Sequence, residues 1–389
     1  MIRSDSAMRI LLTNPYCWPY VRRGSERFLA ELAHYLAGRG HDVTVLTSKP
    51  GSDEVDRSNG FVVVRKSQIQ FAPFRWIGIS PATTFLARCA QFLRNEKFDV
   101  VHCLHYADAL GACFANLSSK TALVVHIVGM PFATWFRRQP WESLILRTVV
   151  GRATRVVVIC SAAQRSFEEI FSRRPAFLGI PCDIRTFTLR EGRDLKCPRI
   201  LGVADFSLPR KGGLVLARAF DIVKERIPGA VLQYCGNMPE ATKNQLMSAL
   251  SEPARRDVQF LGVGTVENLP AVYGQAAVTV LPSVYEPFGM VLVESLACGT
   301  PVVGSRDGGI PDIVEKRTGV LFDPGGNRHA PANAPGLADA IMEALGLYRD
   351  PSLAQQCRER AQRFSWEELG PKLEDVYREA VAECGVAVP

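Results

Sequence analysis

The sequence predicts an α/β protein with two doubly wound parallel sheets, and three observations support this fold class. Short apolar segments rich in Val, Ile and Leu alternate with amphipathic helical segments, as expected for βαβ units around a parallel sheet. The alternation stops at a polar, irregular stretch, 188–199, and then begins again. A length of 389 residues fits two domains of ordinary size.

The first domain is predicted over residues 1–190. Its first strand is the apolar segment MRILLTN (8–14), and the next segment, SERFLAELAHYLAGRG (25–40), has apolar residues at helical spacing and ends at two glycines. Helical segments lie between most of the later strands. These strands are predicted at 41–48, 61–66, 99–104, 121–129 and 155–161.

The second domain is predicted over residues 191–363. Its first strand is followed by the helix GLVLARAFDIVKER (213–226). Its strands are predicted at 199–205, 230–236, 258–262, 278–283, 301–305 and 319–323. A last helical segment, about 364–389, follows the complete second sheet, so the sequence leaves open whether it stays with this domain or packs back onto the first. Because doubly wound sheets bind ligands beyond the carboxyl ends of their strands, a cleft between the two domains is the expected site.

Charge is unevenly distributed along the chain. Residues 1–190 contain 25 Lys and Arg against 14 Asp and Glu, an excess of 11 basic residues, whereas residues 191–389 contain 21 against 25. A basic half indicates an anionic partner, for which nucleic acid, a phospholipid surface and a phosphorylated substrate are all suitable. The alternative is a solvated arginine-rich surface with no partner.

The sequence predicts a cytoplasmic protein without a bound metal. No apolar run approaches the ~20 residues of a membrane span, and the first residues lack an apolar core of signal-peptide length. The 11 cysteines lie mostly in apolar runs and form no CxxC pair, which is typical of buried thiols in a reducing compartment. The six histidines have no carboxylates at metal-ligand spacing.

The residues with the strongest chemical signal lie between 278 and 314. Glu286 follows a strand, and Phe288 and Gly289 open a helix that contains Glu294. Two carboxylates therefore bracket a helix N-terminus, whose free N–H groups favour a phosphate. Carboxylates also accept hydrogen bonds from vicinal hydroxyls, so one stretch can hold both parts of a nucleotide sugar. The alternative is that Glu294 is an ordinary exposed helix residue.

These motifs resemble the retaining glycosyltransferases of the GT-B fold, specifically the large E-x7-E family, which is glycosyltransferase family 4-like. The motif is Glu286-PFGMVLV-Glu294, and the resemblance covers nearly the whole chain. It implies two Rossmann-like domains that face each other across a cleft, the first binding acceptor and the second binding donor. The other matching segments are RGSERFLAELAHYLAGRGHDVTVLTS (23–48), GIPCDIRTF (179–187), RKG (210–212), VQFLGVGTVENLPAVYGQA (258–276), GGIPDIV (308–314), GVLFDPGG (319–326) and the final FSWEEL.

The resemblance implies roles for individual residues. Glu286 would bind hydroxyls of the donor sugar, Lys211 would neutralise the diphosphate, and His126 would touch the transferred sugar near its reacting carbon; these three are the predicted catalytic residues. Glu294 would take the ribose hydroxyls. Val263 and Gly264 would border the base. The sugar and the diphosphate would be held by backbone amides at Phe288, Gly289, Met290 and Val291.

The chain departs from the family pattern at the diphosphate. The family usually has an arginine five residues before the lysine, where this chain has Phe206, so Arg210 is the candidate replacement. A further departure is the first-domain loop, commonly Gly-Gly, which is Arg23-Gly24 here. Arg23 either recognises an anionic acceptor or is solvated.

Two further histidines are candidate acceptor contacts. His102 and His105 follow a strand of the first domain. They either line the cleft or have core roles. The predicted acceptor site therefore consists of these two histidines with Arg23 and Gly24.

The expected reaction needs no metal and no cofactor. The sequence contains no Asp-x-Asp motif, and a helix N-terminus with Lys211 and Arg210 can stabilise the leaving diphosphate instead. The resemblance implies front-face substitution with retention. The expected donor is a UDP- or GDP-hexose, and the expected acceptor is a hydroxyl group of an anionic or lipid-linked molecule in polysaccharide or glycoconjugate synthesis. The alternatives are a GT-B-shaped epimerase or phosphorylase and a noncatalytic sugar-nucleotide-binding protein.

Two segments, 71–79 and 130–147, combine aromatic residues with arginines. Such segments are either packed core with a basic rim or peripheral membrane contacts. Arg22, Arg23, Arg137 and Arg138 are the arginines at which an anionic head group is expected to dock. Aromatic residues with arginine also stack on single-stranded nucleic acid, but no nucleic-acid-binding motif accompanies them, and no nucleic-acid partner is expected.

Overall fold

The computed structural model describes residues 7–17, 20, 24–68, 81–115, 117–131, 140–189 and 194–385. The chain divides into two compact units. The first unit consists of Met1–Pro181 and Leu369–Pro389, and the second of Cys182–Glu368.

The division between the units precedes the predicted boundary at 190. The amide of Cys182 donates a hydrogen bond to the Phe364 carbonyl at 2.8 Å, and the Arg358 guanidinium donates to the Ile184 carbonyl at 2.9 Å. These bonds attach the segment after residue 181 to the second unit, ahead of the polar stretch that suggested the boundary.

The described part of the first unit contains an eight-stranded sheet. Its strands are β1 Arg9–Thr13, β2 Asp42–Lys49, β3 Glu54–Asp56, β4 Val62–Ser67, β5 Val100–Cys103, β6 Ala122–Ile127, β7 Arg155–Val158 and β8 Ala176–Phe177. Their order is β3-β4-β2-β1-β5-β6-β7-β8. All neighbours are parallel except β3, which pairs with β4 in the antiparallel direction.

The helices of the first unit follow its strands. They are α1 Gly24–Gly38, α2 Pro81–Asn95, α3 Tyr106–Phe114, α4 Pro140–Arg152 and α5 Ser161–Phe171. Because side chains alternate between the faces of a strand, Leu11, Val101 and Leu123 on neighbouring strands point to one face, where they belong to the same apolar core. The opposite face carries His102 and His126.

The second unit contains a six-stranded parallel sheet in its described residues. Its strands are β9 Arg199–Val203, β10 Val231–Cys235, β11 Val258–Gly262, β12 Val278–Leu281, β13 Val302–Ser305 and β14 Gly319–Phe322. They lie in the order β11-β10-β9-β12-β13-β14. The order therefore reverses between β9 and β12, and such a switch point is where doubly wound sheets bind their ligands.

Helices also connect the strands of the second unit and follow its last strand. They are α6 Gly213–Arg226, α7 Glu240–Ser248, α8 Glu252–Arg255, α9 Leu269–Gln275, α10 Met290–Ala297, α11 Ala334–Gly346 and α12 Leu353–Gln362. The last helix of the chain is α13 Trp366–Glu383. No helix in the described part of the chain is long and apolar enough to cross a membrane. The two sheets confirm the predicted fold class.

The last helix, α13, belongs to the first unit from Leu369 onwards, which is one of the two placements that the sequence left open. Its buried Glu374 accepts hydrogen bonds from the Tyr35 hydroxyl at 2.8 Å and from the Arg39 guanidinium at 3.0 Å. Gly370 lies so near Tyr35 that a Cβ would be 2.2 Å from the phenol ring. Close packing and a buried charged hydrogen-bond cluster therefore dock α13 on α1.

Candidate functional site

The predicted donor residues of the second unit meet at the switch point of its sheet. β9 leads to the short 3₁₀ turn Pro209–Lys211, and the neighbouring β12 leads to the loop with Glu286. Lys211 Nζ lies 2.6 Å from Glu286 Oε2, and the two side chains are only 16% and 10% exposed. Two of the three predicted catalytic residues therefore form a largely buried ion pair.

The backbone beside Glu286 is strained. Tyr285 has a φ of 63°, which is uncommon for a residue with a side chain. Its carbonyl accepts a hydrogen bond from the Arg210 guanidinium at 3.2 Å, and its amide donates to Asp307 at 2.8 Å. At Gly308 a Cβ would lie 2.0 Å from the Glu286 carbonyl oxygen. Strain that its surroundings maintain in this way is typical of functional sites, and Arg210 contributes here by holding the Glu286 loop.

The phosphate site is predicted at main-chain amides. Gly289 precedes α10 with a φ of 103°, a conformation that L side chains rarely adopt. The amides of Met290 and Val291 lie in the first helical turn, where backbone N–H groups have no intrahelical acceptor. The Phe288 side chain packs edge-to-face on Phe364, with ring centroids 5.7 Å apart. The Phe288 ring is therefore a packing contact, and the role that the resemblance implies for this residue stays a prediction about its backbone amide.

Glu294 is buried, which contradicts the alternative of an ordinary exposed helix residue. Its side chain is on α10, only 3% of the residue is exposed, and it accepts a hydrogen bond from the Tyr273 hydroxyl at 2.7 Å. Burial raises the pKa of Tyr273 well above its usual value, and the Glu294 charge adds to this, so the phenol stays protonated and donates. Tyr273 was missed by the sequence reasoning, although it lies within the matching segment 258–276.

The region predicted to border the base lies at the end of β10 and β11. Burial raises the pKa of the Cys235 thiol, whereas a hydrogen bond from the Gly264 amide lowers it and the Glu294 charge raises it further. A Cβ on Gly264 would lie 3.0 Å from Cys235 Sγ, so this thiol packs against Gly264. Val263 is 67% exposed, and together with Lys243 it lines a cavity of about 320 Å³.

Phe206 supplies no charge to this site. The residue is 4% exposed, and its ring packs edge-to-face on Tyr234, with the ring centroids 4.9 Å apart. The position where the family usually has an arginine is therefore filled by a core side chain. Arg210 and Lys211 are the basic residues that the turn after β9 presents.

The first unit brings two of the predicted histidines together. His102 on β5 is in register with Val124 on β6, and His126 lies two residues further on β6, so both imidazoles project from the same face. His102 Nε2 lies 3.2 Å from His126 Nδ1. His102 Nδ1 lies 2.6 Å from the Tyr377 hydroxyl on α13. Sequence reasoning missed Tyr377, which is 275 residues away from His102 in the chain.

Burial keeps both imidazoles neutral. It lowers the pKa of His126 to about 3 and the pKa of His102 well below its usual value. His126 Nε2 is buried and has no hydrogen-bond partner among the residues that the structure describes. His126 can therefore offer a neutral hydrogen-bonding group, but not an imidazolium, to a ligand.

The predicted acceptor contacts differ in where they lie. Both ring nitrogens of His102 are engaged inside the protein, so the geometry gives it a structural role and leaves its acceptor contact without support. His105 caps α3 by accepting a hydrogen bond from the Ala107 amide at 3.2 Å. Burial lowers the pKa of His105 to about 4. Gly24 is exposed at the start of α1.

Several predicted anion contacts lie outside the described residues. These are Arg22, Arg23, Arg137 and Arg138, together with the aromatic segment 71–79 and residues 132–139 of the second aromatic segment. Their predicted contacts with an anionic acceptor or membrane stay predictions.

Two buried carboxyl groups of the first unit were also missed. Glu26, in the first turn of α1, is 2% exposed, and its Oε2 has no partner in the described residues. Asp108, in the first turn of α3, lies 2.5 Å from the Thr13 hydroxyl and accepts a hydrogen bond from the Ala109 amide at 3.1 Å. Burial raises the pKa of Asp108 to about 8. The only sequence signal for Asp108 is its place inside the apolar segment YADALGACF.

Comparisons with known proteins agree with this arrangement. The family model described as Glycosyltransferase Family 4 matches residues 22–176, and the model described as Glycosyl transferases group 1 matches residues 197–346. The D-inositol 3-phosphate glycosyltransferase of Saccharomonospora viridis is 33% identical over an alignment that covers 92% of this chain and 90% of the relative.

Solved structures share the fold. Sucrose-phosphate synthase from Thermosynechococcus elongatus superposes with a TM-score of 0.78 and 21% identity, covering 96% of this chain and 99% of that chain. HepE from Anabaena, solved with UDP-glucose, superposes with a TM-score of 0.68 and 18% identity, covering 97% and 98% of the two chains.

Sequence identity over nearly the full length, two matching family models and the arrangement of the E-x7-E residues lead to one assignment. The chain belongs to the glycosyltransferase family 4-like group of GT-B glycosyltransferases, and it is a hexosyltransferase.

Proposed function

We propose that the enzyme moves a hexosyl unit from a nucleoside diphosphate sugar to a hydroxyl acceptor, with retention and without a metal ion. The observation that carries this proposal is the Lys211–Glu286 pair beside the N-terminus of α10. This arrangement joins a cation and main-chain amides, which suit a diphosphate, to a carboxylate, which suits sugar hydroxyls.

The expected chemistry breaks the bond between the anomeric carbon and the diphosphate oxygen. Lys211 and the first-turn amides of α10 stabilise the charge that develops on the leaving diphosphate. The acceptor oxygen forms its bond to the anomeric carbon on the same face, and its proton passes to a phosphate oxygen of the leaving group. Glu286 holds sugar hydroxyls, and neutral His126 donates to the sugar.

A UDP- or GDP-hexose is the proposed donor. The HepE neighbour was solved with UDP-glucose, which supports a uridine nucleotide. In this chain the ribose would meet Glu294, and the base would lie beside Val263 and Gly264. A thermal-shift screen of UDP, GDP, ADP and their sugars distinguishes the bases, because a bound ligand raises stability by mass action.

Donor turnover separates an enzyme from a noncatalytic sugar-nucleotide-binding protein. With the preferred donor, we expect slow hydrolysis without acceptor, and its loss in Glu286→Gln. Lys316→Ala, which changes an exposed lysine of the same unit, is the control and should keep wild-type turnover. A protein that binds the nucleotide sugar but never releases nucleoside diphosphate, with any acceptor offered, would be a sensor.

Retention is tested on the product. Proton NMR of the glycoside formed from an α-linked donor should show an α-linked product from its first appearance. A β-linked product would overturn the proposed front-face mechanism while leaving the transferase assignment intact.

An anionic acceptor, phosphorylated or lipid-linked, is proposed for the first unit. Two facts support it. Residues 1–190 carry an excess of 11 basic residues, and the Saccharomonospora relative is a D-inositol 3-phosphate glycosyltransferase. A soluble sugar or polyol phosphate should be glycosylated faster than its neutral counterpart. Peripheral membrane contact is supported if anionic vesicles bind the protein at low salt and release it as salt rises.

Charge reversal at Arg137 and Arg138 tests the membrane source of that anion. It should reduce vesicle binding and leave nucleotide binding in the second unit unchanged. If the protein ignores anionic vesicles at low salt and glycosylates a soluble phosphate equally well after reversal, the lipid-linked acceptor is wrong.

A further inference from the structure

We propose that Tyr377, on the last helix, is a positioning residue that fixes the tautomer of His126 through His102, so that His126 presents an N–H donor to the transferred sugar. The inference deepens the proposed function, since it rests on His126 as the residue that touches that sugar. All three residues belong to the first unit.

The three side chains form a continuous buried chain. Tyr377 Oη lies 2.6 Å from His102 Nδ1, and His102 Nε2 lies 3.2 Å from His126 Nδ1. The two imidazole planes are within 12° of each other, with centroids 5.3 Å apart. The nitrogen–nitrogen contact therefore lies near both ring planes, where the ring lone pair and the ring N–H point. None of the three residues is more than 1% exposed.

The Tyr377 phenol determines which group donates and which accepts in this chain of hydrogen bonds. Burial raises the pKa of Tyr377 well above its usual value, so the phenol carries its proton. Among the described residues, His102 Nδ1 is the hydrogen-bond partner recorded for that hydroxyl. A buried hydroxyl that fails to donate is unfavourable, and the Tyr377 O–H therefore donates to His102 Nδ1.

The tautomer of His102 in turn determines the tautomer of His126. A neutral imidazole has one N–H and one acceptor nitrogen. Since His102 accepts at Nδ1, its proton is on Nε2, where it donates to His126 Nδ1. The proton of His126 is then on Nε2. Reversing this order would require both histidines to change tautomer and the Tyr377 hydroxyl to lose its acceptor.

The outer end of the chain is an unsatisfied donor. His126 Nε2 is buried without a partner in the described residues, and the Phe28 ring packs edge-to-face on the imidazole at 5.3 Å. Buried polar groups without partners are rare and call for a specific explanation, such as a catalytic role. An N–H at this position suits a sugar hydroxyl or ring oxygen. The opposite tautomer would present a lone pair there and could only accept.

The α13 helix therefore does more than pack on the first unit. Its Tyr377 reaches the carboxyl ends of β5 and β6, where it determines whether His126 donates or accepts. Its Glu374, one turn away, holds the same helix by bonds to Tyr35 and Arg39 and contacts neither of these two histidines through the recorded hydrogen bonds. These two contacts can be changed separately, which makes the proposal testable.

Two-bond ¹⁵N–¹H correlation spectra of the full-length protein, labelled at histidine, give the tautomer directly. His126→Gln and His102→Gln assign the signals. In the wild-type protein without substrate, we expect His126 and His102 both protonated at Nε2. Finding either one protonated at Nδ1 in the wild type overturns the proposal without any Tyr377 variant.

Tyr377→Phe removes the hydroxyl and keeps the ring. We expect a new His126 population protonated at Nδ1 and a loss in kcat of about two- to tenfold, the range of one neutral hydrogen bond. KM for the donor should change less than kcat. Tyr35→Phe is the matched control, because it removes a different hydroxyl that holds the same helix; it should leave the His126 tautomer and kcat unchanged.

The outcomes separate this inference from the proposed function. A His126 tautomer that is the same in Tyr377→Phe as in the wild type and in Tyr35→Phe overturns the role of Tyr377. Wild-type turnover by His126→Ala overturns the contact between His126 and the sugar, and with it the function of the chain of bonds, even where the tautomer shifts as expected. A tautomer shift together with a lower kcat supports both.

Discussion

Lys211 and Glu286 form an ion pair 2.6 Å long across 75 residues of sequence. The resemblance gave them different parts of the donor, Lys211 the diphosphate and Glu286 the sugar hydroxyls. In the structure each is the counter-charge of the other at the switch point of the second sheet. The positive charge of Lys211 is thus already paired with Glu286 before a diphosphate binds. The donor diphosphate must therefore compete with Glu286 for Lys211.

The competition predicts opposite effects for the two partners. Lys211→Ala should weaken binding of the free nucleoside diphosphate by roughly 10- to 100-fold, the range for a charged hydrogen bond, and lower kcat as well, because charge grows on the leaving diphosphate. Glu286→Gln should lower turnover but bind the diphosphate at least as tightly as the wild type, because Lys211 loses its internal counter-charge. Calorimetric titration and steady-state kinetics measure both. An equal loss of diphosphate affinity in the two variants would contradict the competition.

The contact between Glu294 and a ribose hydroxyl can be tested with deoxynucleotides. The wild type should bind the ribonucleoside diphosphate more tightly than its 2′-deoxy or 3′-deoxy analogue, because a buried carboxylate accepts from a ribose hydroxyl. Glu294→Gln should reduce this preference. Tyr273→Phe leaves the charge in place and should reduce it less. Equal affinity of the wild type for all three nucleotides would remove ribose binding from Glu294.

Most of the fold could be predicted from the sequence. Each of the 12 predicted strands corresponds to an observed strand, and α6 has the predicted bounds, because buried parallel strands and amphipathic helices have strong apolar patterns. The strands β3 and β8 were missed. They are three and two residues long, too short for an alternating pattern to develop. The position of α13 depended on contacts such as Tyr35 with Glu374, which link residues 339 apart.

The candidate site was only partly predictable, for a related reason. Lys211, Glu286 and Glu294 lie in motifs with fixed spacing, so the local sequence is enough to identify them. Tyr377 and Tyr273 act through hydrogen bonds to distant residues, and nothing in their local sequence shows the partner. The resemblance named His126, but only the packed structure shows which of its nitrogens is left without a partner.

Asp108 predicts a pH-dependent stability. Its pKa is about 8 in the folded protein because of burial, against roughly 4 in an unfolded chain. The folded state then binds a proton that the unfolded state has released, so stability should fall as pH rises from about 4 to about 8. The Asp108→Asn side chain cannot ionise, so this variant should lose the pH dependence. Its stability relative to the wild type should be highest at pH 8.

Thermal unfolding between pH 5 and pH 8 measures the effect of Asp108. Asp339→Asn, which changes an exposed carboxylate, serves as the control and should follow the wild-type curve. An Asp108→Asn curve that runs parallel to the wild type at every pH would show that this carboxyl is ionised in the folded protein.

Glu374 predicts the opposite pH dependence. Burial alone would raise its pKa, but hydrogen bonds from Tyr35 and Arg39 outweigh burial and hold the pKa below its usual value. The stability that this carboxylate contributes is therefore present at neutral pH and is lost as pH falls through its folded-state pKa. Glu374→Gln should cost about 1–3 kcal/mol at pH 7 and less near pH 3.

Urea unfolding at the two pH values measures the Glu374 effect, and limited proteolysis shows whether the last helix detaches first. Glu379→Gln changes an exposed carboxylate on the same helix and should be nearly neutral. If Glu374→Gln loses as much stability at pH 3 as at pH 7, the charge of Glu374 does not hold the helix.

Activity is expected to survive removal of divalent cations. In many transferases a metal held by an Asp-x-Asp motif stabilises the leaving diphosphate, and this sequence has no such motif. Lys211 and the amides at the start of α10 can supply the same electrostatic stabilisation. The glycoside product should be measured directly by mass spectrometry after EDTA treatment, because coupled assays depend on enzymes that need magnesium themselves. We expect the same initial rate with EDTA, with added Mg²⁺ and with added Mn²⁺, and a low rate for Lys211→Ala under all three conditions. A wild-type rate that EDTA abolishes and Mg²⁺ or Mn²⁺ restores would show that the lysine and the helix amides are insufficient for the leaving group.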